Sequence, residues 1–117
     1  MTAKKNHQLS KRQWEQALID DYYDYRWRQI LEPLYEKFKR WDAGELDHVD
    51  MDEAIHETHK ETRRAYSLFT ESRSMLVGMI QWDREWFIPW LRDHQPPPPG
   101  VYVDPLLLEE LEEDERD

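Results

Sequence analysis

The chain has 117 residues, a formal charge of −10, no cysteine, and 36% charged against 38% hydrophobic residues, which suits one domain with a modest core. The missing cysteines exclude disulfides, thiolate metal sites and cysteine nucleophiles together, and the acidic balance argues against nucleic acid as the main partner. No apolar run approaches the ~20 residues of a membrane span, the N-terminus lacks the apolar stretch of a signal peptide, and the expected address is the cytoplasm.

Residues 1–9 have no periodicity and read as a disordered leader, in which Lys4 and Lys5 join Lys11 and Arg12 in a small basic cluster. Residues 10–95 read as one helical domain. Its first helix is predicted to open at Ser10, because Ser10 and Gln13 have capping-box spacing. Trp14, Leu18, Tyr22 and Tyr25 follow at helical intervals, and Trp27, Ile30, Leu34, Phe38 and Trp41 continue the stripe after it has shifted around the axis. Pro33 falls at that shift and predicts a kink or a division into two helices, since proline removes a backbone donor and crowds the preceding turn. With six Trp, six Tyr and three Phe, aromatic rings rather than aliphatic side chains must supply most of the core, each burying ~150–250 Å².

Gly44 is placed to end the first helix in a left-handed conformation. Asp50 and Glu53 then have the spacing of a second capping box, and Met51, Ile55, Thr62, Tyr66, Phe69, Leu76, Ile80 and Phe87 predict one long helix behind it. A short loop makes the two helices antiparallel, with residues 53–59 across from residues 32–39. Two such helices close a poor core, so the predicted fold is an all-α hairpin that completes a four-helix bundle as a homodimer. Pro89 should bend or end the second helix. Pro96 to Pro99 predict an extended spacer leading to the tail of residues 96–117. There Asp104 and Pro105 open a short Leu-rich helix, and residues 101–117 carry eight acidic side chains against Arg116.

No serine lies in a nucleophile-elbow context, and the three glycines form no phosphate-cradling loop. Carboxylate pairs such as Asp20 with Asp21, or Glu109 with Glu110, lie in runs of charge that read as solvated faces rather than acid–base sites. An enzyme is therefore not the expected reading.

One constellation points to metal. Glu53 and His56 are three residues apart, as are His56 and His59, so each pair shares a helix face. Di-iron and di-manganese bundles use a Glu-x-x-His pair twice, with one Glu from each of two facing helices, and Glu32 and Glu36 stand at the corresponding height. A homodimer would supply two copies of each ligand for iron, manganese or zinc. The plain reading of the same residues is a cap for Glu53, a core position for His59 and solvated surface for His56, with no cofactor.

Two further elements read as partner-binding or as core. Trp82, Trp86 and Trp90 recur every four residues, as a ridge for a partner or as packing for a thin hairpin. Leu106, Leu107, Leu108 and Leu111 form an apolar patch too small to fold alone, suited to a groove with a basic rim on another protein or to the chain's own body.

At Trp41-Asp-Ala-Gly-Glu-Leu46, followed by Ile55-His56-Glu57-Thr58-His59 and then Arg63 to Tyr66, the chain resembles a group of small uncharacterised bacterial helical proteins with a Gly-Glu-Ile/Leu turn ahead of an Ile-His-x-x-His helix. The likeness covers residues 33–69 and implies a hairpin and a role for His56 and His59, with no activity attached. The chain departs from that group in having Thr58 and Lys60-Glu61 where the group carries an aromatic residue and Asn-Gly.

Overall fold

The Ser10 capping box forms as its spacing requires. The Gln13 backbone N–H donates to Ser10 Oγ at 3.1 Å and the Ser10 N–H to Gln13 Oε1 at 2.9 Å, which satisfies two donors that a helix start otherwise leaves open. From this cap runs α1, Lys11–Asp42, the first of five helices that a computed structural model of the chain defines over residues 9–116, with side chains described through residue 113. The expected leader thus lies, apart from Leu9, outside the described residues. No strand occurs among the described residues, and no helix there is long and apolar enough to cross a membrane.

Pro33 does not divide α1, which continues through it. Proline inside a helix costs ~3 kcal/mol or more. Packing ahead of the proline, where Tyr22 and Ile30 are buried, helps offset that cost. The helix ends at Gly44 with φ +81°, where the Glu45 N–H donates to Arg40 O at 2.8 Å and the Gly44 N–H to Trp41 O at 3.0 Å. This is the paired closure that a left-handed glycine permits. The next helix, α2 (His48–Phe69), begins earlier than the expected restart at Asp50: Asp47 is the cap, its Oδ1 accepting from the Asp50 N–H at 2.8 Å.

The long second helix expected from the sequence is three helices: α2, α3 (Arg73–Ile80) and α4 (Arg84–Asp93). The apolar periodicity crosses both breaks, but at the first of them local side-chain hydrogen bonds override it. Thr70 Oγ1 donates to Ser67 O at 2.8 Å and closes α2. Ser72 Oγ accepts from the Met75 N–H and starts α3. Short hydroxyl side chains offer the backbone these alternatives to a continuing helix. Pro89 sits inside α4 without ending it.

The described chain forms two compact units. One, Asp21–Glu71, holds the later part of α1 and all of α2. Here the helices run antiparallel as expected: Lys37 shares a groove with Asp50, Glu53 and Ala54, Ile30 and Pro33 share one with Glu57 and Thr58, and the Tyr22 and Tyr23 rings lie 6.1 and 5.0 Å from Phe69. The other unit joins the described residues up to Asp20 with those from Ser72 on. Its largest fully buried side chains are Trp14, Phe87, Leu18, Ile80 and Leu91.

In this second unit Pro98 O accepts from the Val101 N–H at 3.3 Å, and Gly100 between them has φ +88°. Pro99 and Gly100 are the residues a type II turn selects. Helix α5 (Pro105–Arg116) follows, its first turn held by Asp104 Oδ1 accepting from the Leu106 N–H at 3.0 Å. Helix α5 lies on α4, with Leu107 and Leu111 each 4% exposed.

Candidate functional site

The residues proposed to bind metal do not converge within one chain. Glu53, His56, His59, Glu32 and Glu36 are all exposed. Glu32 pairs with Arg28 on its own helix, Glu36 with Lys39, and His56 Nε2 lies 3.3 Å from Asp52 Oδ2 with both side chains about 70% exposed. Among the described residues no three His, Asp or Glu side chains are grouped to hold an ion. The outward direction of His59 corrects its expected core position. The inner side of α2 is taken by Met51, Ala54 and Ala65, which are buried, and His59 falls on another side of the helix.

The tryptophan ridge is also rearranged. Trp90 is buried, its ring stacked on His94 at 3.8 Å and edge-on to Trp14 at 5.1 Å, while Trp86 is half-buried beside it. Trp82 falls in the turn after α3 and is 75% exposed. The interval of four therefore crosses a helix boundary, and the three rings do not form one helical ridge. Of the tail leucines, Leu107 and Leu111 are buried, Leu108 is half-buried and Leu106 is exposed.

Sequence reasoning passed over Gln81, which is buried after the last turn of α3. Its Nε2 donates to Tyr102 O at 2.9 Å and its Oε1 accepts from the Asp104 N–H at 2.9 Å. One amide thus satisfies both a carbonyl and an N–H of the segment that leads into α5. Arg84 also pairs with Glu110 between α4 and α5. A lone glutamine has no periodic signature, so only the folded chain reveals this clamp.

An apolar surface is left open on the Asp21–Glu71 unit. Trp27, Leu31, Leu34, Phe38 and Trp41 follow one another at intervals of four, three, four and three, the a/d repeat of a helix seam. Yet Leu31, Phe38 and Trp41 remain 36–43% exposed, and neighbouring Tyr35 61%. The side of α1 that turns to α2 carries Ile30, Pro33 and Lys37, and it meets the small Ala54 across the hairpin. The heavier aromatic side faces elsewhere. Trp27 lines a groove with Thr62, Arg63 and Tyr66 of α2, and its indole N–H is buried with no acceptor among the described residues. A buried donor without a partner costs roughly 1–3 kcal/mol. Compared with protein-family models, with curated proteins and with solved structures, the chain matches none.

Proposed function

We propose that this chain is a non-enzymatic interaction or assembly protein, and that its hairpin seats a second copy to complete a four-helix bundle. The observation that carries this reading is the a/d seam of Trp27, Leu31, Leu34, Phe38 and Trp41, left partly in water along a two-helix unit. Contiguous exposed apolar surface of this kind marks a binding face, and its heptad spacing suits another helix rather than a small molecule. The tail serves as a cover for α4, with Leu107 and Leu111 engaged in that packing.

The full-length protein is then expected to elute at twice its 14.4 kDa mass. Phe38→Asp should weaken association by about tenfold to a hundredfold, because it places a charge on both sides of the contact. Helix content by circular dichroism should be retained. A wild type that sediments as a monomer at micromolar concentrations overturns the reading.

A second reading is a divalent-metal site in a bundle, held by Glu53, His56 and His59 with Glu32 or Glu36 of two copies; what supports it is that all five side chains are exposed and so open to a second chain. It predicts near-stoichiometric iron, manganese or zinc in protein purified without tag or chelator, lost in His56→Ala and in His59→Ala. Metal-free wild type would retire it.

A further inference from the structure

The Asp21–Glu71 unit carries two patterns that look the same when read backwards. On α1, the first four residues of the seam, Trp27, Leu31, Leu34 and Phe38, are spaced four, three and four, with large apolar side chains and a midpoint between Leu31 and Leu34, Trp41 lying beyond them. On α2, Asp52, His56, His59 and Arg63 have the same spacing and are all exposed. Reversing that row exchanges Asp52 with Arg63 and His56 with His59, so an acid meets a base. The two midpoints lie level in the hairpin, since Ile30 and Pro33 line one groove with Glu57 and Thr58. Both rows also border the same side, since Trp27 and Arg63 line one groove. Arg63 has no ion-pair partner among the described residues.

We infer that the second copy docks antiparallel, its loop at the opposite end, about a two-fold axis that crosses the hairpin at the level of Pro33 and Thr58; this rests on the assembly reading above. In that arrangement α1 packs on α1 of the second copy, setting Leu31 against Leu34 and Trp27 against Phe38. Helix α2 packs on α2 of the second copy, setting Asp52 against Arg63 twice. Like-signed rows would have opposed this register, and like-charge juxtaposition is what suppresses wrong pairings at an interface. The available area also suits a second copy. A 22-residue helix is about 33 Å long at 1.5 Å per residue, and two helices side by side span about 20 Å, giving about 650 Å². A stable pair buries about 800 Å² on each partner, which the flanking Tyr35 and Tyr66 rings help supply.

Charge exchange tests the register, with full-length protein and dimer dissociation followed by sedimentation. Arg63→Glu should weaken the dimer by about tenfold, because it places two carboxylates together at both ends of α2. Adding Asp52→Arg to the same chain should restore affinity to within about threefold of wild type, since each charge again faces its opposite. Because the chain has no cysteine, a spin label at Ala43→Cys reports orientation without background. Opposed loops set two such labels about 30 Å apart along the axis, against about 20 Å or less for loops at one end. A dimer with the short distance, or one in which Asp52→Arg fails to rescue Arg63→Glu, overturns the antiparallel register and leaves the assembly reading standing. A wild type that is monomeric throughout removes both.

Discussion

Replacing Trp14 by alanine should cost about 3–5 kcal/mol, the range for removing a fully buried tryptophan ring. A domain of this size is held by only about 5–15 kcal/mol, so the unit it anchors should lose much of its cooperative melting. Trp14 is 1% exposed, packs edge-on to Trp90 at 5.1 Å, and its indole N–H donates to His94 O at 3.1 Å. Trp14→Phe separates the two contributions. It keeps most of the ring while orphaning the His94 carbonyl, and should cost about 1–3 kcal/mol. Urea unfolding followed by circular dichroism measures both variants. A Trp14→Ala midpoint within error of wild type would falsify the placement of Trp14 in the core.

The second large effect is expected at Gln81. Gln81→Leu removes the amide that pairs with Tyr102 O and with the Asp104 N–H, at about 1–1.5 kcal/mol for each hydrogen bond lost. Both bonds hold the one segment that leads into α5, so the loss is local to it. The segment from Tyr102 to Leu111 should exchange its amide hydrogens faster by one to two orders of magnitude, on the order of the lost 2–3 kcal/mol, while the Asp21–Glu71 hairpin keeps its protection. Gln81→Glu should release the segment as well, because a carboxylate accepts from the Asp104 N–H but presents oxygen where Tyr102 O needs a donor. Unchanged exchange at Asp104 in both variants would show that the α4–α5 packing holds this segment unaided.

Much of the architecture was legible before folding was considered, and for local reasons. The Ser10–Gln13 box, the Gly44 stop and the Asp104–Pro105 start are set by residues within a few positions of one another, so side-chain chemistry alone predicts them. The hairpin followed from helical periodicity and a short loop. The same periodicity misled where it ran past Phe69. Apolar spacing continues through Thr70 to Ser72, and two side-chain hydrogen bonds at 2.8 and 3.4 Å break the helix there. The candidate metal ligands were legible by residue type and spacing, but sharing a helix face does not choose which face turns inward. Small Ala54 and Ala65 took the inner side of α2 and left His56 and His59 in water.

By itself, then, the sequence determined an all-helical chain, the caps at Ser10, Gly44 and Asp104, the antiparallel hairpin and an apolar stripe from Trp27 to Trp41, because each depends largely on neighbours within about one or two turns. Only the tertiary structure decided that α1 runs unbroken through Pro33, that Gln81 clamps the approach to α5, and that the aromatic seam stays open to solvent. Those outcomes depend on which surfaces compete for the same space and on polar groups that meet across 21 and 23 residues of chain, and no local pattern carries that information.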